Sequence, residues 1–186
     1  MVTVIFFASI VLKTLLIILL ADFITGFVHW LEDAYARPEM RFVGGIAREN
    51  LLHHEKPRDF LKKNWWQSSY DLIAIGLAVL AVSWFAFGEI SVWLILLMVL
   101  SINGNQIHKW SHQNRMERPK LVSKLQDWKI LQGVRQHAKH HSGLKNTDYC
   151  VITNAMNPLL EKINFWVGLE WAIWRVTGVV RRQDAI

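Results

Sequence analysis

Three long apolar stretches dominate the pattern of hydrophobic and polar positions along the chain. The first runs from about residue 2 to residue 28 and contains few polar residues. A second, longer apolar block is divided at Gly88 into segments of about 71–87 and 89–107. Because a membrane-spanning helix needs roughly 20 mostly apolar residues, the pattern predicts three spanning helices, the last two joined in a tight hairpin.

A fourth apolar pattern lies near the C-terminus, where residues of about 158–177 repeat at helical spacing. Leu159, Ile163 and Trp166 lie close to one helical stripe, which predicts an amphipathic helix at the membrane interface. The alternative is a fourth span or re-entrant helix, which Glu161 and Arg175 disfavour.

Together these elements predict an all-α polytopic membrane protein with three spans, or four under that alternative. We expect one membrane-embedded domain over residues 1–186. The competing interpretation of residues 71–107 is a pair of buried helices in a soluble bundle, which the length and low charge of this block disfavour.

Composition and charge predict how the chain is oriented in the membrane. Apolar residues make up 52% of the chain, which fits a membrane protein. Of the 21 Lys and Arg residues, seven lie between residues 31 and 70 and thirteen lie after residue 108. The positive-inside rule therefore predicts that both regions are cytoplasmic and that the N-terminus lies on the opposite side. Anionic lipid is the expected partner of this basic charge, and nucleic acid is not.

The candidate chemistry lies in the eight histidines, which all fall at or beyond the predicted cytoplasmic end of a span. His108 and His112 are four residues apart, so a continuing helix would present both rings on one face. The HxxHH spacing from His137 to His141 predicts the same arrangement. The full set is His29, His53, His54, His108, His112, His137, His140 and His141.

These spacings predict a metal centre. A single zinc ion takes four ligands and would leave half of the imidazoles unused, and calcium and magnesium prefer oxygen ligands. Imidazole suits iron, copper, nickel or zinc, and two metal ions use eight histidines best. Two redox-active irons that activate O2 are the leading choice. The single Cys150 excludes an internal disulfide and makes a structural zinc module unlikely.

Several polar residues are candidates to hydrogen-bond the metal-bound imidazoles, which usually donate their second N–H to an acceptor. For Asp127 and Asp148 the alternative is an ordinary surface or helix-capping role. Asp22, a carboxylate within the first span, is expected to pair across helices or face the site. The candidates are Asp33, Glu49, Asn105, Asp127 and Asp148.

The histidine motifs and their surroundings resemble the plasmanylethanolamine desaturase family, also called the Kua or lipid desaturase domain. The resemblance covers about residues 22–178, and NQIHKWSH is its most specific part. The motifs that carry it are HWLED at 29–33, HHEKP at 53–57, NQIHKWSH at 105–112, LQDW at 125–128, HAKHH at 137–141 and NPLLEKINFW at 157–166.

This resemblance implies O2-dependent insertion of a double bond into a lipid chain by a di-iron centre. In the best-known branch, a 1-O-alkyl glycerophospholipid becomes the vinyl ether of a plasmalogen. All eight histidines fall on positions like the family's, and Asp33 resembles an acidic family position that orients an imidazole or binds metal. No catalytic residue is expected beyond the metal centre.

No NAD, flavin or haem motif is present, so electrons are expected from a separate carrier of the cytochrome b5 or ferredoxin type. The alternative activities are a fatty-acyl or phosphatidylglycerol desaturase and a lipid hydroxylase. Hypotheses of other classes are a non-catalytic membrane protein that binds or transports metal and a zinc-dependent membrane hydrolase. Ligands inside the spans would favour transport, whereas these histidines gather at one face.

Overall fold

The computed structural model describes residues 1–183 and is built from α-helices, which confirms the predicted all-α class. Two short 3-10 helices, Pro57–Lys62 and Trp66–Ser68, link α2 to α3, and an isolated bridge joins Leu131 to Thr153. The α-helices are α1 (Val2–Tyr35), α2 (Gly44–Glu55), α3 (Tyr70–Phe87), α4 (Val92–Ile102), α5 (Gly104–His112), α6 (Lys120–Asp127), α7 (Val134–His140), α8 (Met156–Lys162) and α9 (Phe165–Thr177).

Helix α1 extends seven residues beyond the predicted end of the first span. Its 34 residues give a length of roughly 50 Å, whereas a hydrocarbon core is about 30 Å thick. Helix α1 is thus longer than a spanning helix needs to be, and its last turns carry His29 and Asp33. The helix ends at Tyr35, where Ala36 becomes extended, two residues before Pro38.

The predicted hairpin is formed by α3 and α4. Gly88 caps the end of α3 in the left-handed region at φ +71°, a conformation that glycine adopts without steric cost. Ser91 then caps α4, because its side-chain oxygen accepts a hydrogen bond from the Trp93 N–H at 3.2 Å. The chain thus reverses within four residues and returns toward the end of α1 that bears His29.

Two helices, α1 and α3, are long and apolar enough to cross a membrane. Their large side chains are mostly exposed, with Phe6 at 61% and Phe85 at 87%, unlike those of a core helix in a soluble protein. This apolar surface indicates membrane association. The third predicted span is divided, because α4 ends at Ile102 and α5 begins at Gly104. A third crossing stays a prediction.

The predicted C-terminal helix of about 158–177 is also divided. Asn164 adopts a left-handed conformation with φ +50°, which breaks the helical hydrogen-bond pattern between α8 and α9. The break turns Trp166 into the protein, where it is 2% exposed and stacks on Trp30 with ring centroids 5.6 Å apart. This end of the chain therefore packs against α1, although Trp171 and Val176 remain exposed.

Asp22 fastens the segment 149–153 to the middle of α1. Its carboxylate accepts hydrogen bonds from the Ile152 N–H at 2.8 Å, the Thr153 N–H at 3.0 Å and the Thr153 hydroxyl at 2.6 Å. Gly26 permits close approach at the same place, since a Cβ there would lie 2.5 Å from the Cys150 sulfur. Asp22 is expected to pair across helices or face the site, and it instead pairs with an irregular segment, mainly through backbone donors.

We expect Asp22→Ala to lower the thermal unfolding midpoint of the detergent-purified protein by several degrees. The substitution leaves two buried N–H groups without their acceptor, at about 1–3 kcal/mol for each. Asp127→Ala is the matched control, because its carboxylate forms only an exposed ion pair with Arg115. Equal midpoints for the two variants would contradict this account of Asp22.

Candidate metal centre

Four helices bring all eight histidines together at one end of the molecule. The side chains come from the end of α1, the end of α2, the second half of α5, and α7 with the residue that follows it. They form two groups in which all potential ligand atoms lie within 4.8 Å of one another. The first group is His53, His108, His112, His137 and His141, and the second is His29, Asp33, His54 and His140.

In the first group the Nε2 atoms of five rings converge. His108 Nε2 lies 3.1 Å from that of His53 and 2.8 Å from that of His137. The Nε2 atom of His137 is in turn 2.9 Å from that of His112 and 3.0 Å from that of His141. Imidazole nitrogens with lone pairs directed at a common point are suited to hold a cation.

The second group adds a carboxylate to three imidazoles. One oxygen of Asp33, Oδ2, lies 3.0 Å from His54 Nε2, 3.2 Å from His140 Nε2 and 3.4 Å from His29 Nε2. All four residues are buried, and Asp33 and His140 are 1% and 0% exposed. This group can offer a metal ion three nitrogens and one oxygen in a site closed to water.

Backbone carbonyls orient two rings of the second group. His29 Nδ1 lies 3.0 Å from the Tyr149 carbonyl oxygen, and His140 Nδ1 lies 2.8 Å from that of Thr147. Each Nδ1–H donates to its carbonyl, which leaves the Nε2 lone pair directed toward Asp33. The motifs did not identify these carbonyls, because backbone atoms leave no signature in the residue types.

Neighbouring histidines in the sequence separate into different groups. His53 joins the first group and His54 the second, and His140 and His141 divide in the same way. The expectation that all three HxxHH rings share one ligand face is therefore corrected. Successive residues on a helix point about 100° apart, so His137 and His141 meet one group while His140 turns into the other. Helices α2 and α7 thus build the boundary between the groups.

Burial keeps the first group uncharged. It lowers the pKa of His53 to about 2 and that of His112 to about 3, and nearby histidines add to the effect. Burial likewise holds the pKa values of His108 and His137 well below their usual range. At neutral pH these rings are therefore neutral and retain the lone pair that metal binding requires.

The other polar candidates differ from Asp33 in where they lie. Glu49 pairs with Lys63 at the surface, and Asp127 pairs with Arg115 at 2.8 Å. Asn105 donates from its side-chain amide to the Ser68 carbonyl at 2.6 Å. Asp148 is buried between Thr147 and Tyr149 in the sequence, and its carboxylate accepts a hydrogen bond from the Thr147 hydroxyl at 3.1 Å. Among the five candidates, only Asp33 lies in a metal-binding group.

The two groups differ in their access to solvent. A cleft of about 220 Å³ is lined by three rings of the first group, His112, His137 and His141, together with polar residues such as Ser111 and Asn114. Phe60 covers another side of this group, with its ring 5.3 Å from those of both His53 and His108. The first group is thus open at one side, whereas the second is enclosed.

Comparison with known proteins agrees with the predicted resemblance. The model of the lipid desaturase domain family matches residues 18–184. A probable fatty acid desaturase of Acanthamoeba polyphaga mimivirus is 35% identical over 170 residues, which are 88% of this chain and 82% of the relative. No solved structure matches the chain significantly.

Two further relatives carry different substrate names. Plasmanylethanolamine desaturase 1 of Mus musculus is 32% identical over 89% of this chain and 65% of its own length. Fatty acid desaturase 4-like 1, chloroplastic, of Arabidopsis thaliana is 29% identical over 86% of this chain and 55% of its own length. The chain therefore spans less than two thirds of these two relatives. On the family match and the buried histidine groups, the chain belongs to the lipid desaturase domain family of enzymes.

Proposed function

We propose that the protein is an O2-dependent, di-iron lipid desaturase that converts a 1-O-alkyl glycerophospholipid into its vinyl ether. Each of the two groups would hold one iron ion. The observation that carries this proposal is the pair of adjacent groups, one of five imidazoles and one of three imidazoles with a carboxylate, next to helices that can cross a membrane. The site then lies where the chain of a membrane lipid can reach it.

The donor set fits iron. Its ligand atoms are almost all imidazole nitrogens, which suit iron and other transition metals and do not suit calcium or magnesium. Asp33 would supply the only carboxylate to two ions otherwise held by neutral imidazoles, so it would balance only part of their charge. A single structural zinc would use only one of the two groups.

The reaction dictates what the protein must provide. Removing two hydrogens from adjacent carbons while O2 is reduced to two waters consumes two further electrons and two protons. When bound, the iron ions supply the O2 activation needed to attack an unactivated C–H bond. The chain holds the histidine rings in place and limits access of water, and no side chain has to act as a general base on a methylene group.

Particular residues perform these tasks. The carbonyls of Thr147 and Tyr149 fix the rings of His140 and His29, so that their ligand nitrogens keep one direction. Asp33 places negative charge against three imidazoles and would balance part of the charge of a bound ion. Phe60 covers His53 and His108 on one side and limits the access of water there.

The topology and the substrate belong to the same proposal. We retain three spans at about 2–28, 71–87 and 89–107, with the histidine site cytoplasmic and the N-terminus on the opposite side. An external one-electron carrier would supply the electrons. The mouse relative supports the vinyl-ether reaction, and the Arabidopsis and mimivirus relatives support a second candidate, desaturation of an acyl chain.

The metal assignment predicts a difference between two acidic residues. Asp33→Ala removes the carboxylate of the enclosed group and is expected to lower iron content from about two ions per chain to about one. Glu49→Ala is the matched control, because Glu49 pairs with Lys63 outside both groups, and it should retain both ions. Metal analysis of the purified proteins by mass spectrometry measures both. Retention of two ions by Asp33→Ala, or zinc in place of iron, would contradict the assignment.

Lipid analysis of a host that makes 1-O-alkyl phospholipids tests the reaction. Cells expressing the wild-type chain should accumulate vinyl ethers, and His108→Ala should reduce them by at least about 100-fold because a central ligand is lost. Asn105→Ala, one turn earlier on α5, should keep most of the product, since Asn105 bonds to the Ser68 carbonyl away from the metal groups.

The products separate the two candidates. A new acyl-chain double bond without vinyl ether would favour the second candidate and exclude the first. No new double bond in either lipid class, in cells whose purified protein carries iron, would exclude desaturation and favour the non-catalytic metal-binding hypothesis.

A further inference from the structure

We infer that the basic surface around α7 is the docking site of a small, acidic, one-electron carrier protein that reduces the metal centre beside the histidine-lined cleft. This inference rests on the proposed function, because it identifies the partner that the desaturation chemistry requires.

The cleft is the place where metal-ligand candidates come nearest to the surface. His112, His137 and His141 line its wall, so ligand rings of the first group lie directly beneath the surface there. The four residues of the second group are all buried, with His29 the most exposed at 9%. Ser111, Gln113 and Asn114 line the rest of the cleft together with Pro57, Val134 and Ala138. An electron carrier needs only to come close to the ligand rings, and the cleft brings these rings close to the protein surface.

The segment around the cleft is rich in positive charge. Residues 113–145 contain eight Lys and Arg residues and only two acidic residues. Both acids are already matched, since Glu117 pairs with Arg58 at 2.7 Å and Asp127 pairs with Arg115 at 2.8 Å. The remaining cations therefore produce a strong positive potential at the cytoplasmic end of the molecule, which attracts a negatively charged protein.

Helix α7 connects this charge to the ligands. One face of it, with Val134, His137 and Ala138, lines the histidine cleft. The other face, with Arg135 and Lys139, lines a second groove of about 380 Å³ that also contains Lys129 and Asp127, whose carboxylate is paired with Arg115. Arg135 and Lys139 are exposed and form no ion pair within 4 Å among the described residues, and Lys139 interacts electrostatically with Glu161 at longer range. A partner held by the cationic groove would thus lie one helix width from the ligand rings.

A charge-reversal pair tests the docking surface. Lys129→Glu with Arg135→Glu reverses two exposed cations of the groove without touching a histidine. Arg37→Glu with Arg41→Glu is the matched control, since it makes the same change in net charge at two exposed cations between α1 and α2. The probes are a plant-type [2Fe–2S] ferredoxin and the soluble haem domain of a cytochrome b5, both acidic.

Binding is measured first, on the detergent-purified full chain with and without metal. At low salt we expect the groove variant to bind at least one of the two carriers about tenfold or more weaker than the wild type, and the control variant to differ little. The wild-type affinity should fall as salt is raised, because the attraction is between opposite charges. Equal binding by the groove variant and the wild type, or equal weakening in both variants, overturns the inference.

Turnover measurements distinguish a defect in carrier docking from a defect in the metal centre. With iron-loaded protein, the groove variant should raise the KM for the carrier and leave unchanged the product formed in a single turnover by protein that was reduced chemically beforehand. A loss of the single-turnover product in the groove variant overturns the inference, because the defect would then lie in the centre itself. A wild-type protein without single-turnover product contradicts the proposed function, and carrier binding to the metal-free chain still decides the docking surface.

An anionic lipid surface is the alternative partner of the basic surface around α7. Binding to vesicles of phosphatidylcholine with phosphatidylglycerol is therefore measured on the same variants. If the groove variant loses vesicle binding and keeps carrier binding, the groove faces anionic lipid and the inference is wrong. If it loses carrier binding and keeps vesicle binding, the surface is assigned to the protein partner.

Discussion

The structure depends on holding buried imidazole rings so that their lone pairs meet. A hydrogen bond to the second nitrogen of a histidine ring fixes the direction of the other, and the carbonyls of Tyr149 and Thr147 do this for His29 and His140. Those carbonyls belong to an irregular segment that cannot hold its own position by helical hydrogen bonds. Asp22 holds it, by accepting the N–H groups of Ile152 and Thr153 from within α1. A carboxylate in the apolar helix thus supports the geometry of the metal groups.

This dependence explains which features the sequence predicts and which it does not. Helices and histidine faces follow from local spacing, so the all-α class and the pairing of His108 with His112 are visible in the chain itself. The division of His53 from His54 and of His140 from His141 depends on how α2 and α7 are placed against each other. The contact of His29 with Tyr149 joins residues 120 positions apart, and no periodicity reports a contact of that range.

The acidic candidates show that spacing along the sequence does not predict which side chains become buried. Glu49 and Asp33 both stand one helical turn from a histidine, yet one pairs with Lys63 at the surface and the other meets three imidazoles in the interior. Spacing along a helix places a side chain on a face, whereas tertiary packing decides whether that face looks inward. The breaks at Asn103 and Asn164 have local causes, since Asn-Gly favours a turn and Asn tolerates the left-handed conformation found at Asn164.

The central claim is that the two groups hold two chemically different iron ions. Mössbauer spectroscopy of the protein loaded with the iron-57 isotope tests it most directly, because each iron environment gives its own signal. The account predicts two signals of equal area, one from a site with nitrogen ligands only and one from a site with an added carboxylate oxygen. A single signal from one iron ion per chain, or iron without histidine coordination, would contradict it.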